Sequence, residues 1–567
     1  MRRMLLCGLL LVGLGAQAQE DTVTRAMHDE MQRSMQKLQL EQLDKPYFIS
    51  YRVVDDESKE VSATLGSVLS SSQSHTRFLT VNVRVGDYSL DNSNFLSLPV
   101  GGTGVAVQMF GGTMRLPLDD NYNELRREIW LATDGAYKKA LEDLSGKRAA
   151  LLDKNRTEGV PDFSKATPVS ITDTAPRVDV DLENATKLIC EASAVFRQMP
   201  FIQTSHVVFF AENRLERYMN SEGTTFTRTV PRVSLRASAS TQAADGMPLN
   251  DFVAAYGYSM TDLPSRSVLL TEIREMGDVL SRLESAPLEE RYNGPVLFED
   301  QAAAEVFARH FAELLPAQPN LVASNPQLLQ SLRVQQSSGL LNKMHSRVLP
   351  EFLSVIDDPT ATHAGGSVLL GGYKVDEEGV PAKQTLVVED GILKTVLTSR
   401  APVRGALEST GNLREHGVEA SNLFVNSNKS STPEELRKQL IESIKSRGNA
   451  YGIRIRRLSG NSAILAYRVY EDGHEELIRN AGVSELNSAS FKEILAVSKE
   501  RIVYTEPTPL RNNSLFNLNT SSGGRPLISY VVPSLLFEDV TIEKPSGDIP
   551  KPPVASNPLA EMQLWDH

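Results

Sequence analysis

The run Val375-Asp376-Glu377-Glu378-Gly379-Val380-Pro381-Ala382-Lys383-Gln384-Thr385-Leu386-Val387-Val388-Glu389-Asp390-Gly391-Ile392-Leu393-Lys394 decides how the second half of the chain folds. Gly379 and Pro381 punctuate an acidic turn, and Thr385 to Val388 is β-branched and apolar. Asp390-Gly391 is a dipeptide that two-residue hairpins favour, and Ile392 and Leu393 return after it. The segment predicts a β-hairpin. Around it, Ser367–Tyr373, Gln384–Glu389, Ile453–Leu458, Ser462–Tyr470 and Leu535–Ile542 read as strands, with helices over Ala302–Leu315 and Pro433–Ser446. A β-rich C-terminal domain over 289–544 follows. The tail, 545–567, carries five prolines between Pro545 and Pro558 and reads as extended.

The first half alternates between periods. Met27, Met31, Met35 and Leu38 recur at helical spacing within Asp21–Gln42, where a methionine stripe marks a packed helix face. From Tyr47 to Asp87 the period is two, with Phe48, Ser50 and Arg52 on one face and Ile49, Tyr51 and Val53 on the other. Leu98–Leu118, with Gly-Gly pairs at 101–102 and 111–112, reads as a loop or loose hairpin and lacks any glycine-rich phosphate motif. Helices are expected over Glu124–Leu152, Leu182–Arg197 and Ser265–Leu283, and strands over Phe201–Ala211 and Thr224–Ser240. The fold class is therefore α+β: an N-terminal domain of helices and antiparallel sheet over 19–288, then the β-rich domain.

Length and charge narrow the function. A chain of 567 residues exceeds one core, and 71 acidic against 59 basic residues give a formal charge of −12, which disfavours nucleic acid. Arg2 and Arg3 precede the apolar run Met4–Leu14 and an A-x-A site at Ala16-Gln17-Ala18, so residues 1–18 read as a cleavable signal and the protein as periplasmic or secreted. No later apolar run is long enough to span a membrane. Once that leader is removed Cys190 is the remaining cysteine, which excludes an intramolecular disulfide and a cysteine-rich zinc knuckle.

The D-[DE]-E-G-V-P turn, the strand after it and the E-[DN]-G-I-L-K turn resemble the C-terminal domain of the TldD/PmbA family. So do Gly294-Pro295-Val296-Leu297-Phe298, Val355-Ile356-Asp357-Asp358, Thr410-Gly411-Asn412-Leu413-Arg414-Glu415, Thr432-Pro433-Glu434-Glu435-Leu436 and Pro533-Ser534-Leu535-Leu536, in that order. The best-known members are zinc peptidases that work as two-subunit complexes. Active members carry H-E-x-x-x-H on the helix after the Gly-Pro-Val strand, with a cysteine near the C-terminus. Anchored on that strand, the motif falls at Ala308-Arg309-His310-Phe311-Ala312-Glu313, so Ala308 and Glu313 replace the histidines and Arg309 the glutamate. A frame starting at Ala304 recovers Glu305 but places Arg309 at the second histidine, and Asn517–Thr520, near the cysteine position, holds no cysteine. An arginine in the site repels a dication and neither frame leaves three ligands, so no metal, no other cofactor and no catalytic residue is expected.

No G-x-S-x-G is present, which removes the nucleophile-elbow hydrolases. His310, Arg414, Arg454 and Arg456 stand as candidate contacts for a peptide or a partner, against the plainer reading of solvated ion pairs. The resemblance implies a non-catalytic subunit of a peptidase complex acting on peptides, paired as a homo- or heterodimer with a TldD/PmbA-type subunit. The alternatives are a stand-alone periplasmic peptide-binding protein and, third, a zinc peptidase with an unrecognised site.

Overall fold

The computed structural model describes residues 21–40, 42–96, 114–152, 159–325, 327, 329, 339–415, 417–479, 481–484, 486–508, 525–544, 547–553, 555 and 557–559. The expected leader, most of the glycine-rich stretch 98–118 and the Asn517–Thr520 segment lie outside them, as does part of the proline-rich tail.

The N-terminal domain is a helix-backed sheet. Helix α1 (Thr22–Lys37) starts on Asp21, whose carboxylate accepts the amides of Val23 and Thr24. Strands β1 (Pro46–Thr64) and β2 (Ser67–Val85) form a long hairpin. After the short β3 (Met114–Arg115) come α2 (Tyr122–Leu152), β4 (Ser170–Thr174), α3 (Leu182–Ala194), β5 (Thr204–Asn220), β6 (Thr225–Gln242), β7 (Pro248–Gly257) and α4 (Arg266–Ser285). The sheet runs β3-β2-β1-β5-β6-β4, with β7 also on β6. Alternation assigns its faces. Ile49, Tyr51, Val53, Leu79 and Val81 pack with Met27, Met31, Leu125 and Ile129 of the helices, which bears out the methionine stripe as core. Phe209, Val233 and Leu235 pack likewise with Ile189, Ile273 and Leu280. The opposite face carries buried Asp56, Glu212, Arg214, Glu216, Arg228 and Arg232, with half-buried Arg52 beside them.

The C-terminal domain holds β8 (Arg291–Phe298), α5 (Asp300–His310), β9 (Leu353–Asp357), β10 (Thr385–Glu389) and β11 (Ile392–Leu393). These are followed by β12 (Asn422–Ser427), α6 (Pro433–Arg447), β13 (Tyr451–Ser459), β14 (Ser462–Tyr470), β15 (Glu475–Ile478), β16 (Gly482–Ser484), β17 (Ile494–Pro507) and β18 (Leu527–Glu543). Strands β18, β16, β14, β13 and β8 pair in turn and β8 pairs back onto β18, closing a ring. The β9–β12 strands extend from β12, which lies parallel to β18. Helix α6 has the ends its sequence announces: a Thr432/Glu435 capping box, Pro433 in the first turn, and Gly448 at φ 70° after the last. It buries Leu436, Leu440 and Ile444 against Leu297, Val469 and Leu536.

The hairpin read from the sequence is present: Val388 pairs Leu393 and Glu389 pairs Ile392, with Asp390 and Gly391 at φ 46° and 78° as a primed turn requires. Two segments differ from expectation. Of Ser367–Tyr373 only Ser367–Val368 is strand, because Leu370 and Gly371 give their amides to the side chains of Ser529 (2.8 Å) and Asn422 (3.0 Å) instead of a ladder. The helix expected to reach Leu315 ends at His310, where Phe311 turns to φ −124° before a separate 3₁₀ turn over Ala312–Leu314. No helix among the described residues is long and apolar enough to cross a membrane.

Candidate functional site

Helix α5 is buried almost all round. Ala302, Ala303 and Ala304 let it lie close on the ring, and Phe307 and Phe311 stack at 5.2 Å beside Phe491. One acidic side chain, Glu305, sits in that packing at 1% exposure. A carboxylate so buried needs partners. It receives hydrogen bonds from Tyr504 Oη and Gln301 Nε2, both at 2.8 Å on Oε1. Tyr504 and Glu506 alternate along β17 and so face the same way. Arg309, one helical turn beyond Glu305, reaches between the two acids: its Nε is 3.7 Å from Glu305 and its Nη2 4.0 Å from Glu506.

These pairs are longer than hydrogen bonds, and among the described residues Glu305 Oε2 and Arg309 Nε have no hydrogen-bond partner. Burial raises the pKa of Glu305, with Tyr504 and Arg309 opposing it. Burial likewise lifts Glu506 to about 7 despite Arg309. The site therefore holds a protonatable carboxyl pair bridged by a guanidinium.

Zinc sites in proteins need three or four converging His, Cys or carboxylate ligands. Here the second histidine position of the frame starting at Ala304 is a cation, and among the described residues no group of three or more His, Cys, Asp or Glu side chains could hold a metal ion. The residues present do not fit zinc.

The frame anchored at Ala308 is split by the end of the helix: Ala308 is core, and Glu313 lies on the following turn, where its charge is felt by Arg309 and Glu506. Glu305 and Arg309 of the other frame are the positions that meet in one site. His310, whose pKa burial lowers, is held by the Leu486 backbone and the Asn461 side chain. Arg414 bonds the carbonyls of Gly371, Ala420 and Leu527 at 3.2–3.4 Å and lies over Tyr373. Arg454 pairs with Glu299 (2.6 Å) and Glu475 (3.1 Å), and Arg456 with Asp300 (2.7 Å). The structure does not gather these four into one site. Tyr504 and Glu506 were unread in the sequence, and their alternation with Ile502 was the available signal.

A second charged cluster joins the domains. Glu216 and Glu377 are each shared by Arg52 and Arg228 at 2.5–2.9 Å, and Arg214 meets Glu415 at 2.5 Å. Burial opposes ionisation, yet Arg214 and Arg52 hold Glu415 down at about 2, and Arg228, Arg52 and Arg214 hold Glu216 lower than an ordinary glutamate. Glu377 belongs to the acidic turn that opened the sequence reading. Arg400, 1% exposed, pairs Glu222 at 2.7 Å and lies 4.0 Å over Phe163.

This is an α+β protein, an N-terminal helix-backed sheet followed by a β-rich C-terminal region in which Arg309 lies between two carboxyl groups. Residues 290–544 match the PmbA/TldA metallopeptidase C-terminal domain. That match covers less than half of the chain. A metalloprotease of Methanocaldococcus jannaschii is 36% identical over 178 residues, 30% of this chain and 38% of the relative. A PmbA-homologue metalloprotease of Haemophilus influenzae is 26% identical over 236 residues, 41% and 47% of the two chains. The chain thus spans less than half the length of either. Among solved structures, a protein from Thermotoga maritima described as a DNA gyrase modulator superposes with TM-score 0.56 at 14% identity, covering 87% of this chain and 96% of that one. TldE from Thermococcus kodakarensis gives 0.55 at 13%, covering 91% and 99%. These likenesses establish the fold across both domains.

Proposed function

We propose that this chain is a non-catalytic, peptide-binding subunit of an exported peptidase complex, pairing with a zinc-bearing homologue that does the chemistry. The reading is carried by Arg309 set between Glu305 and Glu506, a cation in the stretch where the resemblance would put the zinc motif. The surviving role is then shape and recognition. The leader-like residues 1–18 support a periplasmic site of action, and the fold shared with TldE is compatible with pairing.

Co-expression with an exported zinc-bearing homologue tests the proposal. A co-purifying complex whose peptidase activity needs both chains is expected, and the same activity from the homologue alone would overturn it. An interface well above about 1,000 Å² is required for such a pair. A chain that stays monomeric beside that homologue while still binding peptides would instead favour the stand-alone binding protein.

A further inference from the structure

Strand β18 ends at Glu543 opposite Arg291 of β8. The next residue, Lys544, gives its amide to the Glu290 carbonyl at 3.3 Å and its ammonium to the Glu290 carboxylate at 2.8 Å. The proline-rich tail therefore leaves the β-rich region beside residues 286–290, the segment by which the chain enters it. From there it turns back onto the N-terminal sheet. Pro550 lies on Gly246 in the β6–β7 turn, where a β-carbon would stand 2.2 Å from the Pro550 carbonyl oxygen. Gln242 Nε2 donates to the Gly246 carbonyl at 2.9 Å and to the Pro550 carbonyl at 3.3 Å, so one amide group ties turn and tail together. Farther along, Asn557 Nδ2 donates to the carbonyls of Pro200 (2.8 Å) and Ile202 (3.3 Å) just before β5, while its Oδ1 accepts the Leu559 amide at 3.0 Å.

The composition of the tail suits light, reversible docking. Pro550, Pro552 and Pro553 have no amide hydrogen, so the segment cannot extend the sheet by a ladder. Their fixed φ keeps it extended, so little conformational freedom is lost when it seats. Residues 547–553 are exposed although Gly246 beneath them is buried. A segment held by few contacts, with its backbone facing water, opens at a lower free energy than the whole molecule. Its seat has a fastening of its own: Arg479, between β15 and β16, pairs with Asp245 of the same turn at 2.7 Å and bonds the Ala286 carbonyl at 2.8 Å. Loss of the tail therefore leaves the turn in place.

We propose that the tail is a releasable strap, fastened to the N-terminal sheet at Gly246 by Pro550 and at the loop 200–202 by Asn557, which undocks while the sheet and the β-rich region both stay folded. The molecule then alternates between a strapped state and an open one in which Gly246 is uncovered and the prolines are free. The inference is independent of the peptide-binding reading above.

Hydrogen–deuterium exchange of the full chain, read by mass spectrometry, tests this from both sides of the contact. Pro550→Gly/Pro552→Gly/Asn557→Ala loosens the tail and leaves the sheet's own sequence intact, whereas Gly246→Ala removes the seat. In either variant the amides of residues 243–247 and 199–203 should exchange about fivefold faster or more, together, with strands β1 and β5 unchanged. Combining the variants should add nothing further, because one strap is lost only once. Wild-type exchange at both seats in the tail-side variant overturns the strap, even where Gly246→Ala alone speeds the turn, since alanine is strained there at φ 89°. A rise at one seat only overturns it as two unconnected contacts. A uniform rise with a lowered melting curve overturns it as a tail that belongs to the core.

Discussion

The domain seam and the α5 site use the same residue types to opposite effect. At the seam, Arg52, Arg214 and Arg228 meet Glu216, Glu377 and Glu415 at 2.5–2.9 Å, and Glu216 and Glu415 are held ionised. At the α5 site, Arg309 stands 3.7 and 4.0 Å from Glu305 and Glu506, whose pKa values rise, both longer than hydrogen bonds. Saturated pairs lock two domains together. Unsaturated ones leave donors and acceptors for something else.

The comparison can be broken by substitution. Arg400→Ala at the seam should have the largest effect, since it leaves the Glu222 carboxylate only the Tyr88 hydroxyl, frees the Ser164 carbonyl and empties a site 1% exposed. A loss of about 3–5 kcal/mol is expected in denaturant unfolding of the purified chain. A loss below about 1 kcal/mol would mean that the seam does not hold the domains together.

Glu506→Gln probes the α5 site through pH. The unfolded carboxyl titrates near 4.5 and the folded one near 7, so its contribution is fully present below 4.5 and fades as pH rises through 7. The wild-type chain should therefore lose stability relative to Glu506→Gln across that window, by on the order of 2–3 kcal/mol at pH 8, with the two alike at pH 4. Melting temperatures at both pH values check this, and parallel pH profiles would contradict it. The seam has the reverse sign: Glu415, held at about 2, keeps its contribution above 4.5 and loses it only as pH falls toward 2.

Arg309→Ala should have the smallest effect, below about 1 kcal/mol, because its ion pairs are long and its side chain is 35% exposed. A penalty as large as that of Arg400→Ala would erase the distinction between the two clusters.

Legibility in the sequence followed the range of the interactions. The Asp390-Gly391 hairpin and the Thr432–Gly448 helix are set by neighbours a few residues apart, and both were readable. Ser367–Tyr373 looked like strand by composition, but Ser529 and Asn422 take its amides from 159 and 51 residues away. The site was half readable: the helix and its lost histidines are local, so Arg309 stood out. Tyr504 reaches Glu305 across 199 residues, and Arg232 holds Arg525 across 293, contacts that no local spacing announces. Arg454 and Arg456 looked like a basic face because their acidic partners lie 21 to 156 residues away in sequence, and Arg414 is held by distant carbonyls instead.

The most direct test is metal analysis of the purified full-length chain after gel filtration in zinc-containing buffer, alongside chelator-sensitive peptidase assays. With Arg309 between Glu305 and Glu506, the chain should carry no stoichiometric zinc and hydrolyse no peptide by itself. One zinc per chain, lost on Glu305→Gln or Glu506→Gln and accompanied by chelator-sensitive cleavage, would contradict that account.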